Sequence, residues 1–344
     1  MEIYTLIRLY QRIRSPKIKL MGILTLHLLR RRYLNLSFDP ILSCNLRCRM
    51  CYFSDPDVRK ELYGSFTDDD MQAIARSLFH RVLRLQIGCG AEPTTYKHLD
   101  HVVRLASEHG VPHISITTNG QLLTLEQLRQ LVQYGVNELI LSAHGMSEQV
   151  YEEMMPHASF AKFLQTLEHL RTVKEEHPQL KVRLNYTINE DNIKDLKLLP
   201  QVFSSMKPDV IQLRPIQKIG DSAYNNFSME QMIQLYDEYV MTVVNFCEKN
   251  GITCIYPKKE DLTSIDNENA VANHINSVIE MLPYFQLAPF KGWKEKIDPY
   301  HETFEDYCQR THRVKRMFNL LFGRVKEEQT EEEGVTKALN YTIK

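Results

Sequence analysis

From residue 36 onward the chain alternates short β-prone runs with longer stretches whose apolar positions recur every three to four residues. The β-prone runs fall at residues 36–42, 83–87, 113–118, 138–142, 182–188 and 210–213. Between them, residues 68–79, 98–109, 125–134, 160–177 and 192–206 carry helical spacing. Turns and caps sit where the helices should begin, as at Asn119-Gly120 ahead of Thr124 and at Asp191-Asn192. Six strands alternating with helices predict parallel βαβ units with right-handed crossovers. Such an α/β fold collects its chemistry where strands end and loops begin.

The flanks read differently. Residues 1–35 predict a basic amphipathic helical segment, with Leu6, Ile7, Leu9, Tyr10 and Ile13 near helical spacing. Arg8, Arg12, Arg14, Lys17, Lys19 and Arg30 to Arg32 face a single acid, Glu2. Such a segment either packs on the main domain with its charges in water or lies on an anionic membrane surface. After Pro215 the rhythm stops. Residues 229–250 read as one long helix and 252–256 as a short strand, and the remainder as irregular and mostly helical. The charged run 327–333 reads as a solvated tail. The expected organisation is therefore a helical segment 1–35, a core barrel 36–220, an extension 221–326 that closes the barrel, and a tail 327–344.

Composition narrows the picture only slightly. Of 344 residues, 43% are hydrophobic and 25% charged, which is ordinary for a globular protein. A net charge of -1 gives no overall bias toward polyanions, so a nucleic-acid partner is not expected. Seven cysteines form an odd set in a long chain with no legible secretory signal. That combination favours a reducing cytoplasm over a disulfide framework. The apolar run 20–29 is interrupted by His27 and followed by Arg30 to Arg32, and is too short to span a bilayer.

Three of the cysteines, Cys44, Cys48 and Cys51, lie within eight residues on the loop after the first strand. A structural zinc site takes four ligands, and no fourth Cys or His stands nearby, His80 being the next histidine. Iron–sulfur clusters are held by thiolates, and three of them leave one iron open to a second molecule. A remotely completed zinc site or three buried structural cysteines are the alternatives.

The C-x3-C-x2-C spacing resembles the signature of the radical S-adenosylmethionine (radical SAM) superfamily. The resemblance covers roughly residues 36–216 and implies a partial (β/α)6 TIM-like barrel. It implies one [4Fe–4S] cluster on Cys44, Cys48 and Cys51, with S-adenosylmethionine chelating the open iron. Reductive cleavage then yields a 5′-deoxyadenosyl radical that abstracts hydrogen from a substrate. An electron donor of flavodoxin or ferredoxin type is implied as a partner. Met50 stands where the family commonly has an aromatic residue, and its flexible apolar side chain can pack on adenine instead.

Later strand ends carry further resemblances. Gly88-Cys89-Gly90-Ala91-Glu92-Pro93 is similar to the family's G-G-E-P loop with Ala91 in place of the second Gly. It implies that Gly88, Gly90, Glu92 and Pro93 shape a backbone cradle for the ligand's amino group. Ser115, Thr117 and Asn119 end the third strand in a family-like T-N-G, within reach of ribose or substrate. Ser142 matches a Ser near the ligand carboxylate, and His144 stands where Asp is frequent, a candidate to donate a proton or orient substrate. Asn185 on the fifth strand and Arg214 on the sixth complete the set, the latter suited to a carboxylate or phosphate. Each has a plain alternative as a cap, a core amide or an ion-pair partner.

Cys247, Cys254 and Cys308 form no C-x2-C pair, so an auxiliary cluster is not expected. The substrate stays open between a lipid or glycan precursor, suggested by the basic N-terminus, and a peptide or small metabolite. From a different class, the barrel could be a non-catalytic iron–sulfur or metal-binding regulatory module.

Overall fold

All six predicted core strands form: β1 Leu34–Phe38, β2 Val82–Ile87, β3 His113–Thr118, β4 Glu138–Ser142, β5 Lys181–Ile188 and β6 Val210–Pro215. The computed structural model describes residues 12–217, 226–262 and 279–323, together with 5, 9, 10, 222, 224 and 341–343. Leu6, Ile7, Arg8, Glu2 and the charged run 327–333 lie outside the described residues.

Each of the six strands pairs in parallel with the next, and the extension adds more. β7 Thr253–Pro257 continues the parallel order beyond β6. β8 Tyr284–Leu287 pairs in parallel with β1. β9 Tyr341–Ile343 lies antiparallel on β7. β8 and β9 stand at opposite ends of the strand order, so the barrel stays open. The described part of the segment after residue 221 is mostly helical, as expected, and it also extends the sheet at both edges.

Alternation along the strands divides polar from apolar. Leu36, Phe38, Leu85, Ile87, Ile114, Ile116, Leu139, Leu141, Leu184, Tyr186, Ile211 and Leu213 are buried in one continuous core. Their alternate neighbours share the other face. Ser37 pairs with Gln86, Gln86 with Ser115, Ser142 with Asn185, and Thr187 with Arg214. Most barrels of this kind fill the interior with bulky branched side chains. Here the inner face is polar.

Two local expectations are corrected. β1 ends at Phe38 rather than residue 42, because Pro40 has no N–H to donate and Asp39 turns its side chain into the next loop. The helix expected over 192–206 breaks into a 3₁₀ stretch Ile193–Leu198 and a single turn Leu199–Val202 around Pro200. The Asn192 side chain competes for the backbone there, donating to the carbonyls of Thr187 and His144.

The N-terminal helix α1 spans Pro16–Leu28, with Pro16 in its first turn. Leu20, Ile23, Leu24 and His27 are its buried residues. Its C-terminal turn is fastened where β1 and β2 begin. Arg81, fully buried, donates to the His27 carbonyl at 3.0 Å, and His27 Nδ1 lies 3.1 Å from the Tyr33 hydroxyl.

Candidate active site

The three cysteines sit on the loop that leaves β1, docked on α5 Glu148–Met154 and the turn after it. Arg47 and Arg49 donate their backbone N–H groups to the carbonyls of Pro156 and Met154, and the Arg49 guanidinium pairs with Glu153 and Asp191. Within the loop the Cys51 N–H donates to the Cys48 carbonyl at 2.9 Å. The Leu46 N–H approaches Cys44 Sγ at 3.4 Å. Burial pushes the Cys44 thiol up to about 12 and raises those of Cys48 and Cys51. A bound metal would reverse that preference by taking the thiolates as ligands.

Among the described residues no group of three His, Cys, Asp or Glu side chains converges on a single ion. Three thiols on one short loop suit iron–sulfur ligation, which takes Cys thiolates and with three of them leaves one iron open.

Facing the cysteines, the loop after β2 is held by a residue the sequence reading did not single out. Asp39 is 2% exposed and accepts the backbone N–H groups of Cys89, Gly90 and Ala91 at 2.8, 3.0 and 3.3 Å. Tyr52, just past the last cysteine, donates its hydroxyl to the Gly90 carbonyl. Gly88 has φ +82°, and a Cβ there would lie 2.3 Å from the Thr117 carbonyl oxygen. A Cβ on Gly90 would lie 2.6 Å from the Tyr52 hydroxyl. The only signal for Asp39 was an acid placed directly after a strand and before a proline.

Glu92, 3% exposed, uses its carboxylate on the protein itself. It accepts from Thr94 N and Oγ1 at 3.1 and 2.6 Å, from Thr118 Oγ1 at 2.7 Å and from Asn119 N at 2.8 Å. Burial raises its pKa against the pull of these donors. Asn119 is equally committed: Nδ2 donates to Asn45 Oδ1 at 2.9 Å and Oδ1 accepts from Gln121 N at 3.0 Å. Glu92 and Asn119 thus lock the ends of β2 and β3 to the cysteine loop. Pro93 is buried and opens a 3₁₀ turn against Gly88. Ser115 is fully buried and donates to the Leu85 carbonyl, so it lies below the open site.

The remaining candidates line the polar inner face. Thr117 Oγ1 accepts from Gln86 Nε2 at 3.1 Å, Ser142 is half-buried, and Arg214 is exposed at the end of β6. Asn185 is 7% exposed, and its Oδ1 has no hydrogen-bond partner. A buried amide oxygen left unpaired is a place for a ligand donor. Met50 is partly buried and packs on the core. His144 Nδ1 accepts the Thr187 N–H at 3.2 Å, which fixes the neutral tautomer with its proton on Nε2. Burial and then the Arg214 charge lower its pKa to about 4. At neutral pH this ring is a hydrogen-bond donor through Nε2 and carries no acidic proton on Nδ1.

Fold and site together place a three-cysteine loop at the end of β1 in an open, mostly parallel barrel. Residues 40–197 of this chain match the model of the Radical SAM superfamily. The chain is 27% identical over 168 residues to Fe-coproporphyrin III synthase of Methanosarcina barkeri, covering 49% of this chain and 39% of that protein. It is 28% identical over 157 residues to GTP 3',8-cyclase of Peptoclostridium acidaminophilum, covering 45% and 48%. The chain therefore spans about half the length, or less, of these relatives. Streptococcus suis SuiB bound to S-adenosylmethionine aligns with TM-score 0.56 at 15% identity, over 74% of this chain and 58% of that one. The anSMEcpe structure with bound AdoMet and the Cp18Cys peptide aligns with TM-score 0.56 at 15% identity, over 87% and 86%. At these identities the two structures establish the fold.

Proposed function

We propose that this chain binds a [4Fe–4S] cluster through Cys44, Cys48 and Cys51 and cleaves S-adenosylmethionine reductively to start a hydrogen abstraction. The observation that carries this reading is the coupling of the cysteine loop to the Gly88–Pro93 loop through Asp39, Tyr52 and the Asn45–Asn119 hydrogen bond. When bound, the cluster supplies the electron that breaks the sulfonium bond, drawn from a flavodoxin- or ferredoxin-type donor. The protein's share is placement. The Gly88 and Gly90 cradle presents backbone to the ligand's amino group, Asn185 Oδ1 accepts from ribose, and Ser142 lies beside it on β4. His144 orients substrate through Nε2–H, and Arg214 meets an anionic group.

The polar inner face favours a hydrophilic substrate over a hydrocarbon chain. Ser37, Gln86, Thr117, Thr187 and Gln212 offer hydrogen bonds from five strands, each half-buried. A small metabolite or a glycan precursor uses such a lining; an acyl chain would leave it unsatisfied. No helix among the described residues is long and apolar enough to cross a membrane. We place the working enzyme in the cytoplasm. The test is anaerobic reconstitution followed by dithionite and S-adenosylmethionine. The expected result is 5′-deoxyadenosine and methionine in equal amounts, and their absence from a chain loaded with about four irons would reject the reading.

A further inference from the structure

An exposed helix normally turns its charged face to water. α1 does the reverse: residues 20–29 contain no Lys, Arg, Asp or Glu. Its inward face is buried through Leu20, Ile23, Leu24 and His27. On the opposite face Ile18 is 54% exposed, Met21 51%, Leu28 59% and Leu29 64%. At 100° per residue Ile18, Gly22, Thr25 and Leu29 form one stripe, with Met21 and Leu28 along its edge. The neighbouring helix α9 Arg313–Leu321 packs on α1, and Phe318 and Phe322 beside it are 40% and 64% exposed. Contiguous exposed apolar surface of this kind marks an interaction site.

The ends of the stripe are cationic. Arg12, Arg14 and Lys17 precede it and Arg30 and Arg31 follow it, all exposed. An apolar face between two cationic ends matches an anionic bilayer surface, where side chains enter the acyl boundary and arginines meet headgroups. A second copy of this chain fits poorly. A two-fold contact between two antiparallel α1 helices would set Arg12 and Arg14 of one against Arg30 and Arg31 of the other. Position adds a further point. α1 is fastened where β1 and β2 begin, and the cysteine loop leaves β1 at its other end. A bilayer on this face leaves the open end of the barrel in water.

We propose that the outward face of α1, with its flanking arginines, docks the enzyme peripherally on an anionic membrane surface. This goes beyond the radical chemistry and does not depend on it. The test is flotation of the full-length, cluster-loaded protein with phosphatidylcholine vesicles, with and without phosphatidylglycerol. The wild-type chain should float with anionic vesicles and be released by high salt. Leu28→Gln/Leu29→Gln should lower the bound fraction by about tenfold while 5′-deoxyadenosine formation and thermal unfolding stay as in wild type. Arg30→Gln/Arg31→Gln should bind more weakly, with a smaller salt response. Wild-type protein that stays below the gradient overturns the proposal, as does a Leu28→Gln/Leu29→Gln variant that floats equally well. A dimer in solution that the same variant dissolves overturns it too, assigning the face to a second copy.

Discussion

His144 offers a quantitative test of how the site is built. Its half-buried ring lies just past the end of β4, Nδ1 is committed to the Thr187 N–H on β5, and the Arg214 charge lies nearby. Protonation at Nδ1 would break that hydrogen bond and set two cations together, and the pKa falls to about 4 accordingly. The unfolded chain takes up a proton near 6.5, whereas the native ring refuses one until about 4. Stability is therefore full above the unfolded value and falls as pH drops through this window. A shift of about 2.5 units amounts to about 3 kcal/mol in total, of which about 1.2 kcal/mol is lost between pH 7 and pH 5.5. Solvent in the open lumen screens the ring on one side and makes these values upper bounds. In His144→Asn the amide oxygen takes the place of Nδ1 and keeps the Thr187 contact without titrating. Urea unfolding of both proteins at pH 7, 6.5, 6 and 5.5 isolates the term, because every other histidine contributes equally to both. The wild-type curve should lose about 1 kcal/mol more than the variant across that range. Parallel pH dependences would refute the placement of His144 as a neutral donor held by the Thr187 N–H.

Three further substitutions probe the frame around the site. Cys48→Ala should abolish the brown chromophore and iron binding while leaving the helical circular dichroism unchanged; an intact cluster in this variant would refute the ligand assignment. Gly88→Ala forces φ +82° on an alanine and drives its Cβ to 2.3 Å from the Thr117 carbonyl. Backbone strain alone is worth about 1–3 kcal/mol, so the unfolding midpoint should drop and affinity for S-adenosylmethionine should weaken with it. Glu138, fully buried, is chelated by Arg183 at 3.1 Å and lies 3.3 Å from His113 and 3.6 Å from Arg84. Burial alone would raise its pKa, but the His113 hydrogen bond and the two arginines hold its carboxyl far below the usual range. Glu138→Gln should cost about 3–5 kcal/mol in urea unfolding at pH 7, and the penalty should shrink as acid protonates the wild-type carboxylate.

The strand–helix rhythm was readable because each core strand alternates apolar positions facing the helices with polar ones facing the lumen. β8 left no such mark: four residues beside Pro283, with Phe285 and Leu287 the only buried pair, are too few to show a period. The helix expected over 192–206 failed where Pro200 and the Asn192 side chain compete with the backbone. The helix expected at the N-terminus is present over Pro16–Leu28. Lys17 and Lys19 lie in its first turn and the other basic residues flank it, while from residue 20 the helix carries apolar residues on both faces. In the site, the cysteine spacing and the loop after β2 announced themselves as compact motifs. Asp39 did not, because its role arises from three amides some fifty residues later that only the folded β1–β2 pair brings within reach. Glu92 and Asn119 were legible as site residues, but the sequence gives no sign that both spend their polar atoms on each other and on neighbouring loops.

The cluster with one open iron is tested most directly by electron paramagnetic resonance of the anaerobically reduced protein, before and after S-adenosylmethionine is added. Three cysteine ligands and an open iron predict a reduced [4Fe–4S] signal that changes shape on addition, because the new ligand binds the cluster itself. The signal should vanish in Cys44→Ala, Cys48→Ala and Cys51→Ala alike. A signal unaltered by S-adenosylmethionine, or one that survives any of these substitutions, would contradict it.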